Sequence, residues 1–291
     1  MIPKEILKKV RRIEIATRKS VNDVMAGEYH SVFKGRGMEF DEVREYLVGD
    51  DIRTIDWNVT ARTGRPHVKR YVEERELTVM LVVDASSSCH FGSGKQLKAE
   101  LAVELCALLA FAAIKNNDRV GLMMFTDQVE LFLPPKKGRK HVLRVIRELL
   151  CFRPANQRTN IAAALEQLSR VIKRRAVVFL VSDFIDSGLK QPLAIANRRH
   201  DLIAITVGDP RETELPPIGL LELEDAETGQ VVLIDTYNRA LREQFARAAD
   251  AERRQLDELL RALAIDNVAL TTGESYVEPL IRFFQKRAKR F

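Results

Sequence analysis

The chain has 291 residues, 46% of them apolar and 30% charged, with a formal net charge of +6. That balance is ordinary for a folded globular protein and excludes a disordered chain. The longest mostly apolar stretch, Ala102 to Ile114, is broken by Glu104 and falls short of the ~20 residues a membrane-crossing helix needs. Cys89, Cys106 and Cys151 stand far apart with no CxxC pair, so zinc and redox motifs have no support.

Residues 1–20 hold seven Lys and Arg against Glu5 and Glu14, a net of +5. Ile2, Ile6, Val10 and Ile13 recur at helical spacing among them, which predicts an amphipathic helix whose apolar stripe packs on the body of the protein. The segment lacks a continuous apolar core and a small-residue cleavage site, so it does not read as a secretory signal, and a cytoplasmic location is expected. Arg282, Lys286, Arg287, Lys289 and Arg290 make the other end basic too. Such ends are solvated faces, or they touch nucleic acid, anionic lipid or an acidic protein. Residues 27–76 show no clean period. Gly27, Gly35, Gly37, Gly49 and Gly64 punctuate short segments in which Phe33, Phe40, Tyr46, Trp57 and Tyr71 alternate with charges. Loops and short strands laid against a larger domain are expected there, making residues 1–76 an N-terminal extension.

From Leu77 a regular alternation begins. LTVMLVVD, RVGLMMF, AVVFLVSD and DLIAITV are apolar strand-like runs, and helical stretches separate them, beginning with Lys95–Lys115 and its Leu97, Leu101, Leu105 and Leu108. Continuous apolar strands between helices predict a doubly wound, mostly parallel sheet with helices on both faces. VELFL follows RVGLMMF after only TDQ, so it forms a hairpin and is antiparallel. This domain is expected over 77–210. Residues 211–291 read as an edge hairpin (LLELED and VVLID), a long charged helix to about Leu263, a short VALTT strand and a last helix, packed on the same domain.

Ligands of such sheets sit at the C-terminal strand ends. Asp84 and Asp183 both end apolar runs. Asp84, Ser86 and Ser88 have D-x-S-x-S spacing, so one carboxylate and two hydroxyls converge if the loop curls. Magnesium takes about six hard oxygen ligands and usually keeps waters, which two hydroxyls, carboxylates and water satisfy. A Ser-rich loop is equally a plain helix entry. Thr159 stands where a loop enters an apolar-periodic helix and reads also as an N-cap, and Asp183 reads also as a turn aspartate.

Together these elements resemble the metal-ion-dependent adhesion site of von Willebrand factor A domains over residues 77–207. The resemblance implies Asp84, Ser86, Ser88, Thr159 and Asp183 as ligands of Mg2+, or of Mn2+ or Ca2+, with an acidic residue of a protein partner completing the site. The upstream segment is similar to the signature of the bacterial domain-of-unknown-function 58 family. Its matching residues are Gly35, Gly37, Glu39, Phe40, Arg44, Tyr46, Gly49-Asp50-Asp51, Arg53, Ile55-Asp56-Trp57, Thr60-Ala61-Arg62, Pro66 and Tyr71. That resemblance implies work beside a MoxR-type AAA+ ATPase in assembling or activating other proteins. The commonest adhesion site has a glycine after its last aspartate. Here Phe184 follows, and Asp186 becomes a substitute or supporting group.

Asp50, Asp51 and Asp56 lie among Arg44, Arg53 and Arg62. They read as a salt-bridged network tying the extension to the domain with Trp57 as a packing anchor, or as a partner surface carried by Trp57, Arg53 and Arg62. Cys89 could be exposed. Of the scattered histidines, His90 is nearest the metal loop. Gly92-Ser93-Gly94-Lys95 lacks the first glycine of a phosphate loop and follows the strand too late. The leading expectation is a metal-dependent protein-binding module rather than an enzyme. The alternative is an Mg2+-dependent hydrolase of a phosphorylated or nucleic-acid substrate, for which no general base stands apart from the ligands. A nucleic-acid binder rests only on the basic ends.

Overall fold

The computed structural model describes Ile13, Tyr29 and residues 39–72, 76–94, 96–226 and 229–290. The expected basic helix from Ile2 to Val10, and Gly27, Phe33, Gly35 and Gly37, lie outside the described residues. The four apolar runs form parallel strands: β3 (Thr78–Asp84), β4 (Arg119–Phe125), β6 (Val177–Ser182) and β7 (Asp201–Gly208). β5 (Val129–Lys136) turns back antiparallel on β4, as the short TDQ connection requires. β10 (Asp266–Thr271) adds in parallel to β7. The order across the six-stranded sheet is β10-β7-β6-β3-β4-β5. β3 is buried from Val79 to Asp84 because helices cover both its faces.

One face carries α2 (Lys98–Lys115), α3 (Arg139–Cys151) and α8 (Val277–Ala288). The other carries α4 (Ile161–Val171), α5 (Lys190–Arg199) and the C-terminal end of α7 (Arg239–Ala262). α2 differs from its expected single apolar face. It is buried on nearly every side, from Leu101 to Ala113, because it lies between the sheet, α3 and α8. Cys106 belongs to this core. Among the described residues no helix is long and apolar enough to cross a membrane.

The extension has a small antiparallel ribbon of its own, β1 (Glu39–Glu45) with β2 (His67–Val72), and between them α1 (Trp57–Thr63). Tyr29, which the sequence did not single out, is fully buried. Its hydroxyl donates to Asp118 Oδ2 at 3.1 Å, and its ring meets Phe284 edge-on at 5.9 Å. Asp118 Oδ1 also accepts the Leu77 amide at 2.8 Å, so one carboxylate joins the extension to the start of β3. β8 (Leu220–Glu224) and β9 (Val231–Asp235) pair as expected, but as a separate two-stranded sheet. β10 takes the sheet edge instead, and α8 completes the core, so the sheet and core extend past residue 210.

Candidate metal centre

The C-terminal rim of the sheet gathers the residues the sequence marked. Asp84 ends β3 beside Phe125, and Ala85 N–H donates to the Phe125 carbonyl at 2.8 Å. The chain then enters a 3-10 turn, Ser87–His90. The Asp84 side chain is closed in from two sides: Oδ1 accepts the Ser86 amide at 2.9 Å and Oδ2 accepts the Ser182 hydroxyl at 2.7 Å. The Ser86 and Ser88 hydroxyls meet at 3.0 Å, Ser86 fully buried and Ser88 half-buried. Burial pushes the Asp84 carboxyl up to about 6. The Asp183 charge adds to this, against the hydrogen bonds from Ser182 and Ser86. Burial, then the charges of Asp84 and Asp183, push the Cys89 thiol well above its usual range. Cys89 is therefore a buried thiol, not the exposed group its loop suggested.

The loop carrying Thr159 comes to the same rim. Ser87 N–H donates to the Gln157 carbonyl at 2.9 Å, and Asn160 N–H donates to the Thr126 carbonyl at 2.9 Å. Glu130 pins the loop from below by accepting the amides of Ala155 at 2.7 Å and Asn156 at 3.1 Å. The N-cap of α4 is Asn160, whose side chain accepts the Ala163 amide at 2.9 Å. Thr159 is half-buried beside it and is not the cap.

After β6 the chain turns sharply. Phe184 adopts φ 59°, the left-handed region that favours glycine, so the conformation survives here without the glycine of the commonest adhesion site. The Phe184 side chain is buried in the core of the α4–α5 face, and its amide donates to Ser182 Oγ at 3.0 Å. Asp186 accepts the amides of Ile161 and Ser187 at 2.9 and 2.7 Å and so fastens this loop to the start of α4. Asp183 faces Lys98, whose Nζ lies 2.9 Å from Asp183 Oδ2 and 2.5 Å from Glu212 Oε1. Burial opposes the Lys98 charge, but the Asp183 and Glu212 carboxylates outweigh it and hold the ammonium above the usual lysine range. Glu212 lies in α6 (Pro210–Thr213), and its other oxygen accepts the Asp209 amide at 2.8 Å. Sequence reasoning missed Lys98, Ser182 and Glu212.

Gly92-Ser93-Gly94 is not a phosphate cradle. Ser93 donates its amide, at 2.9 Å, and its hydroxyl to the Asp209 carboxylate. A Cβ on Gly92 would stand 2.7 Å from the Gln96 carbonyl oxygen, so this approach needs glycine. His90 is exposed and lines the same cavity as Asp84. A cavity of about 640 Å³ opens between the rim and α2, lined by Ile13, Asp84, Leu97, Met124, Phe152 and Tyr276 among others.

The signature segment corrects one expectation. Its aspartates mostly serve its own turns. Asp51 accepts the Arg53 amide at 2.9 Å, and Asp56 caps α1 through the amides of Asn58 and Val59 at 3.0 and 3.3 Å. Gly64 ends α1 at φ 72°. The Asp50–Arg44 pair at 2.7 Å and the Asp56–Lys69 pair at 3.4 Å lie within the ribbon, so they do not tie it to the domain. Trp57 is 70% exposed and anchors no packing among the described residues. Trp57 follows the Asp56 N-cap as the first residue of α1. Arg53 and Arg62 are exposed as well.

Among the described residues no three His, Cys, Asp or Glu side chains group as metal ligands. Any ion here would therefore rest mainly on hydroxyl oxygens. The 3.0 Å between Ser86 Oγ and Ser88 Oγ suits a hydroxyl–hydroxyl hydrogen bond. It also matches the ~3.0 Å between adjacent vertices of an octahedron with bonds of about 2.1 Å, the geometry of Mg2+. Asp84 lies two residues before Ser86, and among the described residues its oxygens meet only neutral donors, the Ser86 amide and Ser182 hydroxyl. The hydroxyl pair and Asp84 thus fit a small hard cation.

The family described as Protein of unknown function DUF58 matches residues 42–255. The uncharacterized protein Rv1480 of Mycobacterium tuberculosis is 34% identical over 283 residues, covering 96% of this chain and 89% of that one. The uncharacterized protein YeaD of Bacillus subtilis is 27% identical over 107 residues, 37% of this chain and 25% of its own length. Among solved structures, a conserved hypothetical protein BatB from Bacteroides thetaiotaomicron aligns with a TM-score of 0.47 at 18% identity, over 73% of this chain and all but 1% of its own. The SpRpn10 VWA domain aligns at 0.39 and 12%, covering 71% of this chain and 94% of that domain. The extent of the family match and of the mycobacterial likeness shows that the chain belongs to the DUF58 family.

Proposed function

We propose that this protein is a metal-dependent protein-binding module. Asp84, Ser86, Ser88 and Thr159, with Asp183 beside them, would hold Mg2+ or another hard divalent cation. The bound ion would supply a strong, directional positive charge for a carboxylate of the partner. The observation that carries this reading is the Ser86–Ser88 hydroxyl pair at octahedral separation, set next to a carboxylate that among the described residues accepts from an amide and a hydroxyl. Nothing in that arrangement stands apart as a general base, which favours binding over hydrolysis. The cavity beside Asp84 offers apolar surface for the body of the partner segment. The exposed Trp57, with Arg53 and Arg62, supplies a second contact of the kind that dominates protein interfaces.

The family resemblance suggests a MoxR-type AAA+ ATPase as that partner. The test uses the ATPase from the same host, purified and immobilised. Wild-type protein is expected to be retained in Mg2+ and released by a chelator, and the Ser86→Ala/Ser88→Ala variant is expected not to be retained. Retention that survives both chelation and the substitutions would overturn the proposal. Mg2+- or Mn2+-dependent phosphatase or nuclease activity lost on Asp84→Ala would establish the hydrolase instead.

A further inference from the structure

Lys98 is the first residue of α2 and is 1% exposed. Lysines are almost never so fully buried unless paired, because removing an ammonium from water must be offset by close carboxylates. Its ammonium lies between Asp183 at 2.9 Å and Glu212 at 2.5 Å. Glu212 is in turn fixed by its contact with the Asp209 amide, and Asp209 by Ser93, Thr272 and the Arg211 amide. The ammonium is therefore locked in place by a network reaching from β6 across β7 to β10. The two strand-end aspartates consequently differ. Among the described residues Asp84 receives only neutral donors, while the Asp183 side chain is 5% exposed and faces a fixed positive charge.

We infer that Lys98 sets the affinity of the candidate cation site by holding Asp183 away from the ion. This deepens the reading of the rim as a cation site and rests on it. With Asp183 engaged, Asp84 is the strand-end carboxylate left to an ion. The nearby ammonium also repels a dication. Both effects weaken the site alone, and both leave room for an outside carboxylate to complete it. Lys98 thus couples tight cation binding to the arrival of an acidic partner.

The sign of one change separates this role from a merely structural one. Mn2+ binding is titrated by electron paramagnetic resonance with the full chain and no partner, in wild type, Lys98→Gln, Asp183→Asn and the double variant. Lys98→Gln is expected to tighten Mn2+ at least about tenfold, since it frees Asp183 and removes the repulsion. Asp183→Asn is expected to stay within about threefold of wild type, and the double variant to lose the gain. A looser or unchanged affinity in a folded Lys98→Gln protein overturns the inference. Should that variant not fold, Asp183→Asn decides alone, because it keeps the Lys98–Glu212 pair; an affinity loss of about tenfold there would make Asp183 a full ligand. If no form, wild type included, binds Mn2+, the cation reading itself falls. That result differs from one in which wild type binds and Lys98→Gln changes nothing.

Discussion

Asp84 and Asp183 end neighbouring parallel strands by the same route. Each closes a run of buried residues at the C-terminal rim of the sheet, and each is followed by a tight turn, polar after Asp84 and led by the buried Phe184 after Asp183. Their surroundings are opposite. Burial raises the Asp84 carboxyl to about 6, against an amide and a hydroxyl that donate to it without bringing a positive charge. Asp183 is matched by the Lys98 ammonium. What separates them is a residue 14 positions beyond Asp84 and 85 before Asp183, at the start of a helix that packs over the rim. A carboxylate at a strand end is thus a position, and the partner brought by the neighbouring helix decides whether it is held by neutral donors or joins a salt bridge.

The comparison can be broken most forcefully at Lys98. In metal-free protein, Lys98→Met leaves Asp183 buried and unpaired and is expected to cost about 3 kcal/mol in urea unfolding. Ser182→Ala removes one hydroxyl donor from buried Asp84 and is expected to cost about 1–2 kcal/mol. If Ser182→Ala proved the more damaging, the difference drawn between the two aspartates would be reversed.

Asp209 sharpens the contrast through pH. Burial opposes its charge, but donors from Ser93, Thr272 and Arg211 outweigh it and lower the carboxyl from 3.8 to about 2. A depressed carboxylate stabilises the fold above its unfolded pKa and loses that contribution as pH falls through the folded value. Stability of about 2 kcal/mol is therefore present above about pH 4 and is lost towards pH 2. Asp209→Asn should flatten that part of the acid-unfolding curve; an unchanged slope would contradict the network.

The smallest effect is expected away from the rim. His200 is fully buried, and among the described residues neither ring nitrogen has a hydrogen-bond partner. His200→Leu is expected to raise stability by about 1 kcal/mol, read as an upward shift in Tm. A loss would mean that the ring is held by an interaction which leucine lacks.

How far the sequence reveals this molecule depends on the range of the information. The parallel strands, the β4–β5 reversal and the Asp84-Ser86-Ser88 turn are legible because apolar runs and local spacing encode them. Ser182 was within reach too, since it stands directly before Asp183 in VVFLVSD and a hydroxyl at a buried strand end needs a partner. Lys98 was not. In LKAELAVEL it reads as one more helix cation, and its role comes from partners 85 and 114 residues away. Tyr29 was hidden for the same reason, its Asp118 partner lying 89 residues on. Trp57 misled in the other direction. A tryptophan among glycines and charges suggests an anchor, yet Trp57 opens α1 with its ring turned to solvent.

The central claim is that the Ser86 and Ser88 hydroxyls and one carboxylate on the rim hold a divalent cation. Calorimetric titration of Mn2+ into the metal-free full chain tests it most directly. The account predicts one saturable site in wild type that Ser86→Ala/Ser88→Ala abolishes while the far-ultraviolet dichroism stays unchanged. Equal Mn2+ uptake by the two folded proteins would contradict it.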